Sequence, residues 1–193
     1  MSNAGENIDG ISIENDGLLL VGLVWDYNRD NLVDLDISAF ILGRDNTLIK
    51  DQDFVFYNHL NGRDGAVVHS GDNRVGTTGN DGNNEVIVIN FAQLPEEIQK
   101  IAICVTMHAS GKADCNFAQA SNACVHFTKL SDEFDAEGEE LVRVNLTDAF
   151  PAESGIVLAE FYRKGDNMWH CNAVGAGYQG GLAEIVRFFG GSV

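Results

Sequence analysis

Two polar loops and the start of one strand carry the side chains of this 193-residue chain whose types and spacing could do chemistry. The first loop, residues 71–85, reads GDNRVGTTGNDGNNE, and Val75 is its one apolar residue. Its other side chains are mostly short oxygen carriers: Asp72, Asn73, Thr77, Thr78, Asn80, Asp81, Asn83, Asn84 and Glu85. Its glycines allow backbone carbonyls to turn inward. A hard cation takes about six to eight oxygens at roughly 2.3–2.6 Å, which such a loop can supply. Asp81, Asn83 and Glu85 alternate as ligands do in a calcium loop. The segment is far longer than a hairpin connection needs, and long structureless loops inside a compact domain are usually functional or disordered.

The second loop, residues 26–36, reads DYNRDNLVDLD. Asp26, Asn28 and Asp30 have the spacing that opens an EF-hand. However, Asn31 stands where that motif requires glycine and Ile37 where it requires glutamate, and no helical pattern flanks it. The chemistry here depends instead on Asp34 and Asp36. In an extended strand these two point to one side, about 7 Å apart by strand rise. Two unpaired carboxylates at that spacing repel, and a divalent ion between them removes the penalty. Taken singly, either loop reads equally well as a solvated segment shaped by Asx turns.

The remaining reactive residue types form no constellation. His59, His69, His108, His126 and His170 are scattered without metal-ligand spacing, and Ser38, Ser70 and Ser121 sit in no nucleophile elbow. Residues 175–181, GAGYQGG, have the glycines of a phosphate loop but not its Lys-Ser/Thr ending, so a close-packed turn accounts for them better. Glu160, alone in the apolar run VLAEFY, reads as a buried, paired carboxylate or, as the alternative, a distal ligand. Cys104, Cys115, Cys124 and Cys171 lack CxxC spacing, and buried free thiols of a reducing compartment are expected.

The elements that must position the acidic loops are strands. Apolar or alternating runs occupy residues 18–25, 34–42, 53–58, 66–70, 85–91, 101–108, 123–128, 140–146, 156–163 and 168–174. Gly165, Asp166 and Asn167 mark a hairpin turn between the last two. One helical turn is expected at 95–100, and residues 182–189 carry apolar positions at helical spacing ahead of Gly190-Gly191. The expectation is an all-β chain, an antiparallel β-sandwich with a short C-terminal helix, forming one domain over 1–193 with residues 1–16 loosely ordered.

Twenty-nine acidic residues against twelve basic ones give a net charge of −17. Such a surface repels phosphate backbones and anionic membranes and attracts cations, so neither nucleic acid nor direct membrane insertion is expected. No signal-peptide pattern opens the chain and no apolar run reaches membrane-spanning length, which makes a cytoplasmic location the expectation.

The segments GLVWD (22–26), DLDISAFILG (34–43), DFVFYNHL (53–60), DGAVVHSGDNRVG (64–76), IAICVTMHAS (101–110), NFAQASNA (116–123) and AEFYRKGDNMWHCNAVGAGYQGGLAEIVRFFG (159–190) cover nearly the whole chain. Their order and spacing resemble the TerD family, bacterial stress proteins linked to tellurite resistance. The resemblance implies a β-sandwich binding Ca²⁺ through acidic loops. The family's acidic positions fall on Asp26, Asp34, Asp36, Asp72 and Glu85, with Asn58 as the asparagine of FYN. Where the family ends its second loop in paired acids, GDDE, this chain has Gly82-Asn83-Asn84-Glu85, so its affinity for a divalent ion should be lower. The full expected ligand set is Asp26, Asp34, Asp36, Asn58, Asp72, Asn73, Asp81, Asn83 and Glu85. The implied function is a non-enzymatic calcium-binding scaffold whose partners are other stress or tellurium-resistance proteins. The alternative is a calcium-dependent hydrolase or an enzyme acting on tellurium oxyanions, which needs a general base near the ion or a reactive cysteine pair.

Overall fold

The computed structural model describes residues 8–26, 33–74, 82–108, 115–132 and 138–192. In chain order the strands are β1 (Ser12–Glu14), β2 (Leu18–Asp26), β3 (Asp34–Leu42), β4 (Phe54–Val55), β5 (Asn61–Gly62) and β6 (Val67–His69). They continue with β7 (Glu85–Asn90), β8 (Lys100–His108), β9 (Ser121–Leu130), β10 (Glu139–Asn145), β11 (Gly155–Arg163) and β12 (Met168–Tyr178). Two α-helices, the single turn α1 (Leu146–Ala149) and α2 (Gly181–Phe188), and four 3₁₀ turns complete the named elements.

The strands form two six-stranded sheets, ordered β1-β12-β11-β8-β3-β4 and β10-β9-β2-β7-β6-β5. Every pairing is antiparallel, as expected from the sequence. The sheets face each other across a core of Leu19, Val21 and Leu23 from β2, Leu35, Ile37 and Ile41 from β3, and Phe91, Phe127, Phe161 and Trp169. The Phe91 and Trp169 rings lie 5.0 Å apart.

Burial on one face or two explains the sequence patterns. Strand β7 buries alternate residues, so EVIVIN has the period of a half-covered strand. Strands β3 and β8 read as continuous apolar runs because both their faces are covered. On the outer face Phe40, Leu42, Ala102, Cys104 and Val157 pack under Ile185 and Val186 of α2 and under Phe189. Phe40 stacks on Phe54 at 4.5 Å and meets Phe189 at 4.7 Å. Gly190, with φ of 79°, ends α2 in the left-handed conformation that glycine adopts without strain.

Some local expectations are corrected. Residues 53–58 are strand only at Phe54–Val55, after which Phe56 and His59 close a tight turn through two mutual backbone hydrogen bonds. The helical turn expected at 95–100 lies earlier, at Phe91–Gln93, where the Asn90 side chain accepts from the Ala92 N–H and starts a 3₁₀ turn. Within the first sixteen residues, 8–16 are built into the fold: Ile8 and Ile13 are buried and β1 pairs with β12.

Phe189 is 1% exposed while its neighbour Phe188 is 62% exposed, which gives a matched pair of substitutions. Phe189→Ala should cost about 3–5 kcal/mol in urea unfolding, because it opens a cavity between α2 and the sheet. Phe188→Ala should stay within about 0.5 kcal/mol of wild type.

Candidate metal centre

The acidic site forms where the open edges of the two sheets meet. Strand β4 pairs only with Ala39 and Phe40, so β3 has a free edge at Ile37 and before. The backbone groups there need partners, and the other sheet supplies them through side chains. The Ile37 N–H donates to Glu85 Oε2 at 2.9 Å, and His69 Nε2 lies 3.0 Å from the Ile37 carbonyl. Both residues occupy the inward phase of their strands, His69 with Val67 and Glu85 with Ile87 and Ile89.

The same two side chains hold the start of the 71–85 loop. The Gly71 N–H donates to His69 Nδ1 at 2.9 Å, so the proton of the neutral ring sits on Nε2 and is donated to Ile37. The Asn73 N–H donates to Glu85 Oε1 at 3.2 Å. Ser70 adds two bonds to Val86, one from its own N–H and one to its hydroxyl. Thus residues 70–73 are fixed against β7 and Asp72 is delivered toward β3.

There one carboxylate oxygen from each of Asp34, Asp36 and Asp72 lies within 4.8 Å of the other two. Asp36 is 8% exposed, yet no hydrogen bond or ion pair reaches its carboxylate among the described residues. Asp34 Oδ1 is likewise buried without a partner. Asp72 accepts one bond, from Arg74 Nε at 2.8 Å.

The electrostatics follow from that crowding. Burial pushes the Asp36 carboxyl up to about 8, and the charges of Glu85, Asp34 and Asp72 add to the effect. Burial, then Asp72 and Glu85, raise Asp34 to about 6. The Tyr57 hydroxyl, in the turn between Phe56 and His59, is also raised, by burial and then by Asp36, Asp72 and Asp34. Three converging carboxylates with unmet acceptor capacity are suited to a hard divalent cation, and a set made only of oxygens favours Ca²⁺ or Mg²⁺ over Zn²⁺.

The other expected ligands fall in different places. Glu85 is adjacent to the cluster, but both its oxygens hold backbone N–H groups. Asn73 contributes its backbone to Glu85. Asn58 is exposed in the turn beside Tyr57. Asp26 Oδ2, at the C-terminal end of β2, accepts from Asn122 Nδ2. The Asn83 side-chain oxygen turns outward to His126 Nε2, crossing above Gly22, where a Cβ would collide with both groups. Asp81, with Asn28 and Asp30, lies outside the described residues. His69, Tyr57, Arg74 and Asn84 were not legible as parts of the site. Asn84 is 8% exposed and accepts the Trp25 N–H through Oδ1 at 2.9 Å, tying the loop's end to β2.

An antiparallel β-sandwich with an acidic cluster at its open edge defines a fold class, and comparison with known proteins makes it specific. The chain belongs to the TerD family: the TerD domain model matches residues 5–189. It is 40% identical to the uncharacterized protein YceE of Bacillus subtilis, over 96% of this chain and 95% of that one. It is 38% identical to general stress protein 16U of the same organism, over 96% and 94%. It is 37% identical to the tellurium resistance protein TerD of Serratia marcescens, over 89% and 86%. Among solved structures, a homologue of the telluride resistance protein TerD from Streptomyces coelicolor superposes with a TM-score of 0.70 at 20% identity. That match covers 88% of this chain and 94% of the other.

Two outcomes follow from this geometry. Glu85→Gln replaces an acceptor that receives two backbone N–H groups by an amide whose NH₂ must face one of them. It should lower stability by about 1–3 kcal/mol in chelator-containing buffer, read by urea unfolding. The second concerns pH. Asp34 and Asp36 have native values of about 6 and about 8 against an ordinary 3.8, so in between the native state binds more protons than the unfolded chain. Stability of the ion-free protein therefore falls as pH rises through that window and levels off above it. Thermal melts from about pH 5 to about pH 9 should show the decline, and Asp36→Asn should remove most of it.

Proposed function

We propose that this protein is a non-enzymatic, calcium-binding member of the stress-response and tellurium-resistance group, working in the cytoplasm as a module for other proteins. One observation carries the reading: Asp36 is 8% exposed, has no partner among the described residues, and shares a 4.8 Å cluster with Asp34 and Asp72. Buried carboxylates are ordinarily paired or bound to metal, because an isolated buried charge is costly. A divalent ion supplies the missing charge for all three.

The ligands proposed for Ca²⁺ are Asp34, Asp36 and Asp72, with Glu85 beside them holding the loop. Asp26, Asn58, Asn73, Asp81 and Asn83 belong to the wider set implied by the family. Oxygen donors drawn from a strand and a loop suit the larger, less geometrically demanding Ca²⁺ better than Mg²⁺, which prefers strict octahedral geometry and keeps its waters. A binding role is favoured over catalysis because both nitrogens of His69, the imidazole against Glu85, are committed to backbone groups. The cytoplasmic reading is supported by four free cysteines, of which Cys104 and Cys171 are buried. No helix among the described residues is long and apolar enough to cross a membrane.

Ion binding to the native state alone should stabilise it by about 2.7 kcal/mol at a hundredfold excess over Kd. For a domain of this size that raises Tm by on the order of 5–10 °C. Asp72→Ala or Asp34→Ala should abolish most of the rise, and Asp166→Asn, in the distant β11–β12 turn, should leave it intact. The reading is falsified if millimolar calcium leaves the Tm of the chelator-stripped wild type unchanged.

A further inference from the structure

We propose that Arg74 is a tethered competitor for the cation site: its guanidinium occupies Asp72 when no ion is bound and must be displaced for a divalent ion to enter. The inference rests on the reading of the Asp34, Asp36 and Asp72 cluster as an ion site. Among the described residues Asp72 is the one of the three carboxylates held in a direct ion pair, with Arg74 Nε 2.8 Å from its Oδ2. The two residues are separated only by Asn73, so the cation is carried on the same short segment that carries the ligand.

Other arginines show what a structural ion pair looks like in this fold. Arg63 has a side chain only 9% exposed and grips Asp53 through two bonds of 2.6 Å while also reaching Glu97. Arg163 lies over the Trp169 ring at 4.5 Å and donates to the carbonyls of Ile98 and Leu94. Arg74 has neither feature. Its side chain is 76% exposed, against 27% for Asp72, and a single hydrogen bond holds it. A contact of that kind contributes little to stability and is easily released. It is built to open.

Its effect on the site is competition. A monovalent cation that displaces the guanidinium from Asp72 exchanges one positive charge for another, so the cluster gains no neutralisation. A divalent cation brings one more charge to Asp34 and Asp36, neither of which has an ion pair among the described residues. Because the guanidinium must leave before either kind of ion enters, Arg74 lowers the affinity of the site for every cation. It tunes affinity without being a ligand.

The test is a calorimetric CaCl₂ titration of the full chain after chelator treatment, comparing wild type, Arg74→Gln and Arg44→Gln. Arg44 is exposed in the turn after β3, at the end of that strand opposite Asp34, and controls for the change in net charge. Arg74→Gln should tighten calcium binding by about two- to fivefold, the range a single exposed ion pair allows, while Arg44→Gln changes it less than about twofold. Added KCl should weaken calcium binding more steeply in Arg74→Gln than in wild type, because the bare site admits K⁺. Equal affinities and equal KCl slopes for wild type and Arg74→Gln would overturn the competitor role and leave the ion site standing. Absence of binding heat in both proteins would overturn the ion site and this inference together.

Discussion

The free edge of β3 at Ile37 is the constraint around which the acidic site is organised. A buried strand edge cannot leave an N–H and a carbonyl without partners, and β4 is too short to supply them there. The opposite sheet does so with a carboxylate and an imidazole, Glu85 and His69, each reaching across from the inward phase of its own strand. Because the remaining oxygen of Glu85 and the remaining nitrogen of His69 then hold Asn73 and Gly71, closing the sandwich also places Asp72. Fold and site share the same few hydrogen bonds.

That arrangement sets a conflict between packing and charge. Closing the edge brings Asp34, Asp36 and Asp72 together in a chain already at −17. Coulomb repulsion between carboxylates a few ångströms apart is weakly screened once water is excluded. Without an ion the cluster favours retained protons, with Asp36 and Asp34 raised to about 8 and about 6, and Arg74 pairs with Asp72. A proton on Asp36 and the divalent ion proposed above are thus alternative solutions to one problem.

Much of the architecture was legible because hydrophobic period reports burial directly. The apolar runs in β3 and β8 and the β-branched run in β7 announced strands, and the structure adds that β3 and β8 are covered on both faces and β7 on one. The common side of Asp34 and Asp36 also followed from strand period alone. What the sequence concealed were contacts between sheets. Nothing local says that Asp72 approaches Asp34, because sheet packing decides it. Nor does alternation along the 81–85 segment say which way Asn83 faces, since it precedes the first residue of β7. Two signals were nevertheless present. Gly22, inside the apolar run LLLVGLVW, marks a close approach, here by Asn83 and His126. His69 and Glu85 are polar residues in core-facing phase, which need a buried partner.

Asn83 and Asn84 explain how the site tolerates amides where the family resemblance places acids. Asn84 is buried at 8% exposure and its oxygen takes one backbone N–H, from Trp25, which an amide accepts as well as a carboxylate does. A carboxylate there would add a buried charge close to Glu85, whose field already bears on Asp34 and Asp36. Asn83 faces outward, where its oxygen meets the His126 ring. Neither side chain is directed at the cluster among the described contacts, so the amides lower the local negative charge and leave Asp34, Asp36 and Asp72 in place. For the cation site proposed above, the cost of losing two negative charges falls on long-range attraction, which salt screens. The local geometry at Asp34, Asp36 and Asp72 is untouched.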